Sequence, residues 1–291
     1  MINPIQVLYS IILGIVQGIS EWLPISSKTQ VLLASQALLH LNFQQAYSFG
    51  LFMEVGTILA AVIYFRRDIY SLLRVLAMRG TVMEKKLFVY VLVATVITAL
   101  IATPLYLIAD SITGISLGIP MIVIGLVLIG DALFIRYSRR KREKGKANTR
   151  KFESMSIKDY IIIGIAQGIA ALPGVSRSGI TTSAMFLMNI EPDEVFRLSF
   201  VIGIFASIGA FGLTFLVSGT NVAAALSGIG ISGLAIAIAA ATIISLFLID
   251  FLIKVASKKK IIYLIAALGI IALASGVLYM VYSAIGIPVV S

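Results

Sequence analysis

Gly14-Ile15-Val16-Gln17-Gly18-Ile19 returns in the second half of the chain as Gly164-Ile165-Ala166-Gln167-Gly168-Ile169. After a one-residue deletion the match continues, with Leu23-Pro24 on Leu172-Pro173 and Ser27-Lys28 on Ser176-Arg177. Both copies lie in long apolar stretches, 4–38 and 160–190, each broken midway by polar, Gly and Pro residues. Six unbroken apolar runs fill most of the rest, at about 46–65, 87–109, 117–136, 196–217, 229–253 and 261–283. Each is close to the ~20 residues that a helix needs to span a bilayer. One broken stretch and three unbroken ones therefore fall in each half.

The composition agrees with that reading. Of 291 residues, 59% are hydrophobic and only 12% charged, and the mean hydropathy is +1.05. A soluble domain carries about 25% charged residues, so the solvent for most of this chain is lipid. The absence of cysteine excludes disulfides, thiolate catalysis and cysteine-held zinc or iron–sulfur centres. A single histidine excludes a multi-histidine metal site. The N-terminus lacks the basic segment and small-residue cleavage site of a signal peptide, and reads as mature sequence.

A net charge of +10 invites a nucleic-acid reading, but its distribution argues against one. Of 23 Lys and Arg, six lie in 66–86, ten in 136–158 and four in 254–260, leaving Lys28, Arg177 and Arg197. Those clusters sit between apolar runs, as cytoplasmic loops do under the positive-inside rule. With all three loops on one side, the stretch 160–190 must cross an even number of times, so it enters and returns as a hairpin from the cytoplasmic side. Its counterpart 4–38 then forms a hairpin from outside. The expected fold is an all-α polytopic membrane protein: an inverted-topology repeat with six transmembrane helices plus two re-entrant helical hairpins. It is a single integral membrane domain over 1–291, with a first repeat at 1–137, a basic cytoplasmic loop at 138–159 and a second repeat at 160–291. Both termini fall on the outer face.

Non-helical backbone at membrane depth is tolerated only where protein or a wet cavity satisfies it, and ionisable residues there are functional candidates. The break at Pro173-Gly174-Val175-Ser176-Arg177-Ser178-Gly179-Ile180-Thr181-Thr182 has the form of an anion cradle. Pro and Gly stop one helix, hydroxyls and an Arg open the next, and free N–H groups there favour an anion. An Arg fork matches phosphate oxygens. The first break offers Ser26, Ser27 and Lys28, and adds Glu21, which shares a helix face with Gln17. Glu21 reads as a general base, as a ligand for a hard cation, or as a partner neutralising Lys28 or Arg177.

Elsewhere, Glu54 stands inside an apolar run with no basic residue within ten positions, and reads as cavity-facing, or as a helix-packing hydrogen-bonder. Asp131 and Asp250 read as locally paired with Arg136 and Lys254, or snorkelling. His40 reads as an interface residue, Trp22 as an interface anchor or a wall for an apolar chain, and the scattered Met residues as packing. The tract Arg136 to Lys151 reads as a solvated loop near anionic lipid.

Pro173-Gly174-Val175-Ser176-Arg177-Ser178-Gly179-Ile180-Thr181 matches the P-G-x-S-R-S-x-x-T signature of the undecaprenyl-diphosphate phosphatases of the bacitracin-resistance type. Gln17 to Glu21 fits the family's E/Q-x-x-x-E motif, and Leu23 to Ser27 its L-P-I-S-S run. The chain resembles that family over nearly its whole length. The resemblance implies a membrane hydrolase that releases the terminal phosphate of the polyprenyl diphosphate carrier of cell-envelope glycan synthesis, with an active site open to the outer face and a divalent cation, Mg²⁺ or Ca²⁺, as cofactor. It implies Glu21, Ser27 and Arg177 as the catalytic residues. Gln17, Ser26, Lys28, Gln30, Gly174, Ser176, Ser178 and Thr181 would bind substrate, and Glu21 and Glu54 are the metal candidates. Partners are the lipid substrate and the bilayer, with monomer and homodimer both open. The chain departs at Lys28-Thr29-Gln30, where many relatives have T-G-H. Gln30 cannot shuttle a proton at neutral pH, whereas Lys28 adds a positive charge. The rival reading is a transporter or flippase for an anionic lipid or small anion, since inverted repeats around a midplane site also serve alternating access. Transport, however, needs no nucleophile. A purely structural membrane subunit would explain neither polar hairpin.

Overall fold

A computed structural model describes residues 4–23, 27–39, 43–111, 118–143, 149–172, 175–217, 230–256 and 261–285. Among these the chain is helical, without strands, save for one isolated bridge between Arg150 and Ile190. The stretch 4–38 is two helices, α1 (Pro4–Ser20) and α2 (Ser27–Leu39). They are followed by α3 (Phe43–Tyr64), α4 (Arg66–Leu76), α5 (Val82–Ser111) and α6 (Gly118–Glu143). The second half has α7 (Ile157–Ile169), α8 (Arg177–Leu187), α9 (Pro192–Val217), α10 (Gly230–Ala256) and α11 (Ile261–Ala284). Both broken stretches are thus helix pairs.

Length separates two kinds of helix. α1, α2, α7 and α8 have 17, 13, 13 and 11 residues, short of the ~20 that cross a bilayer. Among the described residues, four segments are long and apolar enough to cross: Val82–Ile108, Pro192–Gly212, Gly230–Val255 and Ile262–Val281. α3 and α6, with 22 and 26 residues, lie where the other two spans are expected. This is a multi-pass membrane protein.

The burial pattern is that of a protein in lipid. α1 buries Ser10, Gly14, Gln17 and Gly18 and turns Ile5, Leu8, Ile11 and Ile19 outward. Lipid gives apolar side chains no reason to hide, so small and polar residues make the helix contacts. The repeated glycines show how close those contacts are. A Cβ on Gly14 would fall 2.5 Å from the Ala237 carbonyl of α10, and one on Gly18 2.9 Å from that of Ala241. In the second half, a Cβ on Gly164 would fall 2.8 Å from the Ala94 carbonyl of α5, and one on Gly168 2.6 Å from Ile101 Cβ. Only glycine permits such approach. The pairing is crossed: α1 packs on a helix of the second half, and α7 on a helix of the first.

Two stretches read as loops are ordered. The segment 66–86 contains α4 and the first turn of α5, where Thr81 and Glu84 cap each other reciprocally and Arg74 reaches Glu84 at 3.1 Å. Arg150, placed within a solvated tract, is instead held. Its fork donates to Asp159 Oδ1 at 3.1 Å and Oδ2 at 2.7 Å, and its backbone pairs with Asn189 and Glu191. Beside it Tyr90, Phe152 and Tyr160 pack ring to ring. A charge count marks basic segments as polar but is blind to such pairing.

Candidate active site

The two hairpin tips meet at Glu21 and Arg177. Glu21 follows the last turn of α1, its N–H still donating to the Gln17 carbonyl at 3.1 Å. Arg177 is the first residue of α8, behind the N-cap Ser176, whose hydroxyl accepts from Gly179 N–H at 3.2 Å. Arg177 Nη2 donates to Glu21 Oε1 at 2.5 Å, the side chains being 20% and 6% exposed. Glu21 Oε2 accepts from Ser27 Oγ at 2.7 Å and from Gln17 Nε2 at 3.1 Å. One carboxylate therefore gathers a hydroxyl, an amide and a guanidinium. A hydroxyl at hydrogen-bond distance from a carboxylate is the arrangement of a nucleophile beside its base.

The rest of the guanidinium is anchored on α9. Arg177 Nη1 donates to the Gly203 carbonyl at 2.7 Å and to the Ser207 hydroxyl. A Cβ on Gly203 would fall 3.3 Å from Arg177 Cζ, close enough to press on the guanidinium. Neither Gly203 nor Ser207 carries a sequence signal of its own, since a glycine and a serine in an apolar span read as packing.

The second tip is fastened to the first by hydroxyls. Ser178 Oγ donates to the Leu23 carbonyl at 2.8 Å and Ser176 Oγ to the same oxygen at 3.4 Å, the two hydroxyls lying 3.2 Å apart. Thr181 Oγ1 donates to the Arg177 carbonyl at 2.8 Å and pairs with Ser199 Oγ at 2.5 Å. Thus three of the expected phosphate ligands are engaged in holding the loop. Lys28 Nζ lies 3.6 Å from Glu54 Oε1, so the carboxylate that stands alone along the sequence has its cation on the neighbouring hairpin. Gln30 is half-buried on α2, one turn beyond Ser27. Ser26 and Gly174 lie outside the described residues, as does His40.

Other sequence readings resolve simply. Asp250 accepts from Lys254 Nζ at 2.5 Å, a local pair, and from Tyr64 Oη at 3.2 Å. The side chain of Asp131 is outside the described set. Trp22 is not at an interface: it is buried and packs edge-on against Phe200, ring centroids 4.9 Å apart. Gln167, the repeat counterpart of Gln17, donates to Thr98 Oγ1 at 3.1 Å instead of to a carboxylate. The second hairpin has no acid where the first has Glu21, because Ala171 stands there.

The oxygen-rich set of Glu21, Glu54, Gln17 and Ser27 suits a hard cation in kind. Among the described residues no three acidic or histidine side chains cluster, and each of the two carboxylates already faces a cationic side chain. Glu21 and Glu54 are thus the residues that could hold a Mg²⁺ or Ca²⁺ ion, since Mg²⁺ is commonly bound through one or two carboxylates together with substrate phosphates.

The family model described as bacitracin resistance protein BacA matches residues 10–274. A protein of Saccharolobus solfataricus named undecaprenyl-diphosphatase is 48% identical over 273 residues, 94% of this chain and 96% of its own length. One of that name from Sulfurisphaera tokodaii is 49% identical, over 92% of this chain and 96% of its own. A third, from Pyrobaculum aerophilum, is 40% identical over 93% and 97%.

Proposed function

The chain belongs to the bacitracin resistance protein BacA family, and from that membership and the hairpin contact we propose that it hydrolyses undecaprenyl diphosphate. The products are undecaprenyl phosphate and inorganic phosphate, which returns the lipid carrier to cell-envelope glycan synthesis and accounts for bacitracin resistance. The observation that carries the chemistry is one carboxylate, Glu21, bonded to both Ser27 and Arg177.

In this reading Ser27 Oγ attacks the terminal phosphorus while Glu21 Oε2 takes its proton. The anhydride P–O bond breaks, and undecaprenyl phosphate departs with the bridging oxygen. Once Glu21 has released that proton to solvent, water attacks the phosphoserine and its proton passes to Glu21. That proton moves on to Ser27 Oγ as the Oγ–P bond breaks, and phosphate leaves with the serine restored. Arg177, held flat by Gly203 and Ser207, turns its fork to the phosphate oxygens when substrate replaces Glu21 Oε1. Phosphoryl transfer asks mainly for positioning and charge neutralisation. Glu21 and Glu54 would hold a divalent ion, which would supply positive charge against the phosphates. Ser176, Ser178 and Thr181 support the cradle by bracing the tip. Gln30 stands where relatives have a histidine, and Glu21 does the proton work alone.

The fold completes the reading as two inverted repeats, each a re-entrant hairpin and three spans. The crossed packing of α1 on α10 and α7 on α5 supports it. The basic segments are cytoplasmic, and the site opens outward. The test is phosphate release from undecaprenyl diphosphate by purified protein in detergent, with and without Mg²⁺ or Ca²⁺. Cation-stimulated release, lost in Ser27→Ala and in Arg177→Ala, is expected. Tight binding of the lipid diphosphate without release above a protein-free blank would make the site a carrier's.

A further inference from the structure

Lys28 and Glu54 form a second cation–carboxylate pair whose position in the fold repeats that of the Arg177 anchor. The offset that carries Lys28 onto Arg177 carries Phe43 onto Pro192, the first residues of α3 and α9. It also carries Glu54 onto Gly203. Lys28 Nζ meets Glu54 on α3 at 3.6 Å, and Arg177 Nη1 meets the Gly203 carbonyl on α9 at 2.7 Å. Each hairpin tip therefore presents one cation, braced at the same point of the helix that follows it. The brace differs, being a backbone carbonyl in one half and a carboxylate in the other.

Exposure gives the pair a direction. The Lys28 side chain is 45% exposed while Glu54 is 5% exposed. The ammonium is the exposed member of the pair and the carboxylate the buried one, and Lys28 is one residue along α2 from Ser27. A lysine is a point charge on a flexible stem, and a buried carboxylate limits where that charge goes. We propose that Lys28, positioned by Glu54, is a second phosphate clamp, and that two clamps on opposing tips make the site select a diphosphate over a monophosphate. This rests on the phosphatase reading for the identity of the lipid. The bland alternative is that Lys28 serves only to neutralise a buried acid.

Equilibrium binding separates the two, using undecaprenyl diphosphate and undecaprenyl phosphate with the full chain in detergent and excess EDTA, so that cation-stimulated hydrolysis does not consume the diphosphate. Wild-type protein should bind the diphosphate more tightly. Lys28→Met should weaken diphosphate binding roughly 10-fold and leave monophosphate binding within about 2-fold, a loss of the size of one charge-assisted hydrogen bond. Lys28→Arg should restore most of it. Glu54→Gln should weaken the diphosphate less than Lys28→Met does. The deciding variant is Lys28→Met combined with Glu54→Gln, which removes both charges. Diphosphate binding as weak as in Lys28→Met alone supports the clamp. Recovery to wild-type binding, or equal loss for both lipids, overturns it. Because binding is read without turnover, a protein that binds selectively but releases no phosphate would sink the phosphatase reading and leave the clamp standing.

Discussion

Arg177 serves two surfaces at once, and only a planar fork does so. One nitrogen reaches the Gly203 carbonyl and the Ser207 hydroxyl on α9, while the other reaches Glu21 across the hairpin contact. Lysine would keep the charge and neutralise Glu21, but one ammonium cannot hold α9 and face phosphate together. Arg177→Lys is therefore expected to fold, with a detergent melting temperature near wild type, and to lose about 100-fold or more in phosphate release, the usual cost of one misplaced charge-stabilising donor. Retention of more than a tenth of the rate would show that the fork is dispensable. Glu21 and Arg177 were legible because their motifs are local runs of residues. Lys28 and Glu54 were each singled out, but their pairing was not legible: a pair separated by a helix and a turn leaves no spacing pattern, and a search for cations along the chain misses one folded alongside.

At the scale of the element, glycine marks where helices touch and a hydrogen-bonded fork marks where a hairpin begins. Gly14 and Gly164 leave no room for a methyl, with backbone oxygens at 2.5 and 2.8 Å from the added atom, whereas Gly130 and Gly212 face open space. Gly14→Ala and Gly164→Ala should each destabilise by about 1–3 kcal/mol through overpacking. Gly130→Ala and Gly212→Ala should be neutral or stabilise by up to about 1 kcal/mol, from the higher helix propensity of alanine. Thermal unfolding in detergent measures all four, and equal effects would refute the close crossings. The start of α7 offers a pH test. The Arg150 fork, helped by the Ser156 N–H and hydroxyl, holds the Asp159 carboxyl down at about 2 against an ordinary 3.8. A lowered folded-state value means that stabilisation is full above the unfolded value and disappears as pH falls through the folded one. The melting-temperature gap between wild type and Asp159→Asn should be constant above about pH 5 and close between about pH 4 and 2. A gap that persists at pH 2 would assign it to packing. The hydropathy pattern foretold the helices, but not α4 or the Arg150 contact, because amphipathic surface segments and loops full of charge look alike when only composition is read.

Over the whole molecule, the topology turns on whether the two helix pairs enter and return. The repeat of Gly14 to Ile19 in Gly164 to Ile169 was open to reading from sequence, and the loop charges argue for an even crossing of 160–190, but neither says which helix meets which. The structure supplies that in the crossed contacts of α1 with α10 and α7 with α5, which no hydropathy profile encodes because both faces involved are rich in small residues. A chain without cysteine lets the inverted arrangement be tested directly, one thiol at a time. Lys158 and Asp193 are exposed residues flanking the second hairpin, Ser154 and Met78 lie in the basic segments, and Pro4 and Ile285 are exposed near the two ends. With a membrane-impermeant maleimide, Pro4→Cys and Ile285→Cys should label in intact cells. Met78→Cys, Ser154→Cys, Lys158→Cys and Asp193→Cys should label only in inside-out vesicles. The pair that matters is Lys158→Cys with Asp193→Cys. Labelling from one side means that α7 and α8 enter and return, so that the Arg177 tip reaches the Glu21 tip from the opposite face of the bilayer. Labelling from opposite sides would make that stretch a crossing, and the inverted repeat would fall even with the catalytic contact intact.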